Sequence, residues 1–167
     1  SSLEKMRMIL TQSEVKPENR KCAIYANDVA NEINAPVCAI ELNDGHLIRG
    51  KTSSLLRCSS AALLNALKYL AGIDTSVQLI SPDLLNAIHS LKNNYLNLKN
   101  PLLDIDEVLL TLSIAAKEDE NAKKCIEALP LLKGCEIHST IILTKKDTTT
   151  LRNLNMNLTC NPKQGNA

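Results

Sequence analysis

The chain has 167 residues, 44% of them hydrophobic, with a formal net charge of +1 and neither Phe nor Trp. That is enough for one domain with an aliphatic core, and the absence of a dense Lys/Arg run and the scarcity of aromatic platforms argue against a nucleic-acid partner. No run of eighteen apolar residues and no signal-peptide core is present, so no membrane partner is expected.

Six cysteines are scattered without a Cys-x-x-Cys motif, which predicts free thiols and a cytoplasmic setting. The Ser-Ser start without Met suggests a piece of a longer chain.

Residues 3–12 place Leu3, Met6, Ile9 and Leu10 at helical spacing. Pro17-Glu18 predicts a helix start, with the helix reaching about Ile33, although Cys22–Tyr25 also reads as a short strand. Two apolar runs, 37–42 and 46–49, flank Asn43-Asp44-Gly45, a strong hairpin signal. Residues 59–70 read as a helix with Leu63, Ala66, Leu67 and Leu70 on one face and Gly72 closing it. Val77–Ile80 reads as a short strand. Ser81-Pro82 then predicts a capped helix whose buried stripe is Leu84, Ile88, Leu91 and Tyr95. Helices over 105–116 and 121–129, a strand over 134–143, a helix over 144–154 capped by Thr144, and a strand over 157–160 complete the pattern. Helices alternating with strands imply a mixed sheet covered on both faces.

Several polar residues invite chemistry. Gly50-Lys51-Thr52-Ser53 leaves the second hairpin strand just before a helix start, where anions often bind. Lys51 offers charge, and Thr52 and Ser53 offer hydroxyls, although a solvated turn explains the same residues. Ser59 and Ser60 read first as helix caps. Asn65, among apolar neighbours, either ties elements together or faces a ligand. Cys58 reads as a small buried residue, with a reactive thiol as the alternative. Glu136, His138 and Thr140 share one strand face, so a His–carboxylate pair for proton transfer is conceivable beside a purely structural role. Asp104, Asp106 and Glu107 suit a helix N-terminus, and this is favoured over metal binding.

The segments Asp44-Gly45, Gly50-Lys-Thr-Ser53, Ser59-Ser60-Ala61, Leu64-Asn-Ala-Leu-Lys68, Ile80-Ser-Pro82, Asp106-Glu-Val-Leu109 and Gly134-Cys-Glu-Ile-His-Ser-Thr140 resemble, in order, the C-terminal part of the bacterial "domain of unknown function 1846" family. The likeness covers most of residues 17–162 and implies an N-terminal portion beyond this chain. It implies no settled activity. Some members carry a zinc-protease label, but no His-Glu-x-x-His is present here. The chain departs from the family pattern at Arg57-Cys58, where Gly-Ala is expected, and at Asp104-Ile105, where His-Thr is expected.

A looser resemblance is to the cytidine-deaminase fold. It implies that Cys58-Ser59-Ser60 and Pro82-Asp83-Leu84-Leu85 stand where that fold carries its zinc ligands and catalytic Glu. Those residues are not a zinc set, so no metal and no cofactor are expected.

Together these observations predict a single three-layer α/β/α domain over 1–167, with a mixed sheet, a cytidine-deaminase-like topology and an inserted helical segment at about 82–130. The expected function is a share in a small anionic-ligand site, with Lys51, Thr52, Ser53, Ser60, Asn65 and His138 as polar contributors and the N-terminal portion of the same protein as a partner. The alternative is a structural or homo-oligomerisation module. The sequence assigns no reaction.

Overall fold

In a computed structural model the described residues are 20–162. The helix expected over residues 3–12 lies outside them. Among the described residues, six α-helices and four strands follow one another as α1 (Lys21–Ile33), β1 (Val37–Glu41), β2 (Leu47–Lys51), α2 (Cys58–Leu70), α3 (Pro82–Asn94), α4 (Ile105–Ala115), α5 (Glu120–Glu127), a 3-10 turn (Leu129–Leu132), β3 (Glu136–Ser139), α6 (Lys145–Asn153) and β4 (Asn157–Cys160).

The sheet runs β2-β1-β3-β4. β1 is antiparallel to both β2 and β3, whereas β3 and β4 are parallel and joined through α6. The sheet is therefore mixed, as expected. The hairpin is set by Gly45, whose φ of 88° suits a residue without a side chain, and by the Leu42 amide donating to the His46 carbonyl.

Strand alternation divides the core between two faces. Val37 and Ala39 point towards α1, where they pack with Cys22, Ala26 and Val29. Cys38 and Ile40 point to the other face and join the larger cluster containing Leu63, Leu67, Val108, Leu112, Ile137 and Leu151. Helix α2 lies directly on β2. A Cβ added at Gly50 would stand 2.0 Å from the Ala62 backbone nitrogen, so only glycine permits that approach.

Four expectations need correction. Cys22–Tyr25 lies within α1. Val77–Ile80 is not a strand, because its backbone closes a turn on Asp74 while Leu79 and Ile80 sink into the core. The last long strand covers only 136–139, since Ser139 Oγ bonds with the Ile141 backbone and turns the chain, leaving Ile141 and Ile142 exposed. Helix α3 forms with the expected Ser81 cap and Pro82 start. Its expected stripe is nevertheless largely open, with Leu84, Leu91 and Tyr95 exposed, Ile88 partly buried against the core and Lys92 its buried residue.

Candidate functional site

Three helices begin side by side at one end of the sheet. The loop before α2 pairs with the loop before α4 through a parallel bridge between Leu56 and Leu103. The Arg57 amide donates to the Leu103 carbonyl at 3.3 Å, and the Leu103 amide donates to the Leu55 carbonyl at 2.9 Å. The third start, that of α6, reaches the other two through Asp147. This fully buried carboxyl accepts the Ser59 hydroxyl at 2.9 Å and the Ile105 amide at 3.2 Å. One side chain thus ties α2, α4 and α6 at their positive ends.

Asp147 pays for that position in charge. Burial raises its carboxyl above the ordinary aspartate value, against its two hydrogen bonds and the nearby Arg57 charge. Asp104 goes the other way. Burial would raise it, but the Glu107 amide and the Lys146 ammonium hold it below the usual range. With Glu107 it forms a capping box on α4, which settles the acidic group at 104–107 as helix-start chemistry.

Beside this junction lies a cavity of about 180 Å³, lined by residues that include Thr52, Arg57, Cys58, Thr144 and Asp147. Ile141 and Ile142 are among its apolar lining. The Nε of Arg57 is buried without a hydrogen-bond partner, and an unpaired buried donor is costly. Thr52 Oγ1 accepts the Cys58 amide at 3.2 Å and Thr144 Oγ1 accepts the Asp147 amide at 3.2 Å. The Thr144 hydroxyl proton remains able to donate, while that of Thr52 also has the Cys58 sulfur within reach.

The six residues expected to share a site are split. Thr52 lines this cavity, and Ser53 is next to it in the chain, its Oγ accepting the Leu56 amide at 3.1 Å. Lys51 and Asn65 line a different cavity of about 240 Å³ at the β2 edge, with Val29, Ile33, Val37, Arg49 and Gly50. There Asn65 Nδ2 donates to the Arg49 carbonyl at 2.8 Å, so the amide ties α2 to the edge strand. Ser60 is fully buried and donates to the Leu103 carbonyl at 3.0 Å. Neither Ser59 nor Ser60 caps α2, because both sit inside the helix and turn to tertiary partners.

His138 lies on the opposite face of the sheet, beside α1. Its Nδ1 meets Thr159 Oγ1 and its Nε2 meets Asn161 Oδ1, each at 2.7 Å. Asn161 Nδ2 donates in turn to Asn27 Oδ1 at 2.7 Å. The Asn161 carbonyl oxygen requires Nε2 to carry the proton, leaving Nδ1 to accept from Thr159. Burial lowers the His138 pKa. Glu136 instead pairs with Arg20, and Thr140 Oγ1 accepts the Val37 amide. No His138–Glu136 couple forms.

The profile of "Domain of unknown function DUF1846, C-terminal" matches residues 18–167. The chain belongs to this family. A UPF0371 protein of Corynebacterium glutamicum is 45% identical over 159 residues, which cover 95% of this chain and 32% of that protein. UPF0371 protein CLL_A2797 of Clostridium botulinum is 39% identical over 96% of this chain and 34% of its own length. A UPF0371 protein of Streptococcus pneumoniae is 39% identical over 97% and 33%. The chain spans about a third of the length of these relatives. Among the described residues no helix is long and apolar enough to cross a membrane.

Sequence reasoning missed Arg57 as a site residue, and it missed Asp147 altogether. Arg57 carried a signal, since it directly precedes a helix start. Asp147 carried none, because Ser59 and Asp147 are 88 positions apart.

Proposed function

We propose that the cavity at the joined starts of α2 and α6 binds a small anion, a phosphate or carboxylate group, within a larger protein. The observation that carries this reading is that Arg57, a residue of the cavity lining, has a buried Nε with no hydrogen-bond partner. Thr52 and Thr144 supply hydroxyl donors, and two helix N-termini supply favourable potential. At about 180 Å³ the cavity falls below the roughly 300–1,000 Å³ of drug-sized sites, which suits an ion or a few-carbon acid. The charge of Asp147 opposes an anion, and its raised pKa eases that opposition by favouring the uncharged carboxyl.

This reading moves the site from Lys51, Ser60, Asn65 and His138 to Arg57 and Thr52. It lies where the deaminase-like resemblance puts the start of that fold's first long helix. A reduced cytoplasmic setting keeps Cys58, one of six free thiols, in the form that lines the cavity. The remaining two thirds of the longer relatives are the natural source of further ligand contacts.

Thermal shift tests it. Inorganic phosphate or a small dicarboxylate at a hundred times its dissociation constant contributes roughly 2.7 kcal/mol, or about 5–10 °C for this size. Arg57→Gln is expected to abolish the shift while leaving the ligand-free Tm within a degree or so, and Lys51→Ala to leave the shift intact. Equal shifts in wild type and Arg57→Gln, or loss of the shift in Lys51→Ala alone, would refute the placement.

A second reading has its own observation. Leu110 and Ile114 on α4 are 66% and 69% exposed, and Leu110 borders an apolar groove between α4 and α5. Such surface suits an interface, here with a second copy of the chain. Sedimentation should show concentration-dependent dimerisation that Ile114→Lys removes, and a monomer at all concentrations would end this reading.

A further inference from the structure

Cys38 and Cys58 supply no hydrogen-bond donor assigned to the anion, yet they stand together. Cys38 is on β1 and Cys58 opens α2, both fully buried, with Sγ atoms 3.3 Å apart. Closing that gap to a disulfide requires an approach of about 1.3 Å, within reach of small side-chain and backbone adjustments. The two thiols are not equivalent. Both belong to the core cluster, and of the two only Cys58 is also among the residues lining the 180 Å³ cavity. Cys58 is therefore the nearer of the two residues to a small molecule held in that cavity.

We infer that Cys58 and Cys38 are the attacking and resolving thiols of a dithiol–disulfide couple, with peroxides that enter the cavity as the oxidant. The Cys58 thiolate attacks one peroxide oxygen and the O–O bond breaks. Cys58 becomes a sulfenic acid, and the other oxygen leaves, taking up a proton, as water or an alcohol. The Cys38 thiol then attacks the Cys58 sulfur, the S–O bond breaks, and water departs as the S–S bond forms. Two electrons pass from the pair to one peroxide, and a dithiol reductant returns them.

The electrostatics match these roles. A hydrogen bond from the Cys38 thiol, against the cost of burial and with help from Thr52, Ser139 and the Ser59 amide, brings Cys58 down to about 7. Burial, together with donating that bond, raises Cys38. At neutral pH the attacking sulfur is therefore substantially thiolate while its partner keeps the proton needed for resolution. Cys22, Cys125 and Cys135 are all raised by burial and have no such activation. Thr52 and Cys58 line the same cavity, so the couple is tested without added anion.

The test treats the folded chain with graded hydrogen peroxide, blocks remaining thiols with N-ethylmaleimide, and maps the non-reduced tryptic peptides by mass spectrometry. The expected product joins residues 22–49 to residues 58–68, with fragment ions placing the bond on Cys38 rather than Cys22. Cys58 should be consumed about ten-fold faster than Cys135. Cys38→Ser should leave a Cys58 sulfenic acid that dimedone traps, and Cys135→Ser should leave the cross-link unchanged. A cross-link between other cysteines, oxidation of Cys58 with Cys38 still alkylated, or thiol loss only after denaturation would overturn the inference. None of these outcomes depends on anion binding.

Discussion

Helices α2 and α3 are each thirteen residues long, and each carries leucines at helical spacing. Helix α3 has the better local start, with a Ser81 cap and Pro82 at its first position, whereas α2 has no side-chain cap. Yet α2 buries seven residues while α3 buries Lys92 alone. Helix α2 owes its place to distant groups. Gly50 lets it lie on β2, Thr52 satisfies its first amide, and Asp147 holds Ser59. Local signals fix where a helix begins. What covers its face is decided by residues far along the chain.

The sharpest way to break this contrast is at Gly50. Gly50→Ala forces α2 off the strand, and urea denaturation should show a loss beyond about 4 kcal/mol or no folded protein. A loss under about 1 kcal/mol would mean that α2 does not need the close approach.

Matched truncations compare the two helices directly. Leu63→Ala, in a fully buried position, should cost about 3 kcal/mol. Leu91→Ala, half exposed, should cost less than about 1 kcal/mol. Similar costs would erase the distinction between the helices.

Lys92 is the pin that holds α3. Its Nζ donates to the Leu102 carbonyl at 2.8 Å and to Glu107 at 2.5 Å. The Glu107 side chain is 24% exposed, so Lys92→Ala should cost about 2 kcal/mol, less than a fully buried pair. Lys92→Met should recover part of that loss through packing of its stem.

The smallest effect lies on the opposite sheet face. The folded pKa of His138 is depressed below its ordinary 6.5. The stability this histidine contributes is therefore present above pH 6.5 and fades as pH falls through the folded value, because the unfolded chain then binds the extra proton. Tm measured from pH 7.5 downward should decline less steeply in His138→Asn than in wild type. Parallel slopes would show that His138 is not held neutral.

These contrasts explain what could be read in advance. The hairpin was legible because Asp44-Gly45 determines a turn from adjacent residues alone. The helix starts at Ser81, Asp104 and Thr144 were legible for the same reason. Val77–Ile80 misled because an apolar run signals burial, while a strand also needs a partner edge. The α3 stripe misled because Leu84 and Leu91 have the right spacing yet stay exposed among the described residues. At the site, Thr52 could be found from its place before a helix. The Asp147 end of the cavity could not, since it exists only once β3 and α6 have returned to α2.

The most direct test of the account is a ¹H–¹⁵N titration of the folded chain with inorganic phosphate and with a small dicarboxylate. Saturable shifts are expected at Thr52, Cys58, Ser59 and the amides of 144–147, with Arg49, Lys51 and Asn65 unmoved. Shifts centred on the β2 edge would contradict the proposed site, as would a spectrum unchanged by either anion.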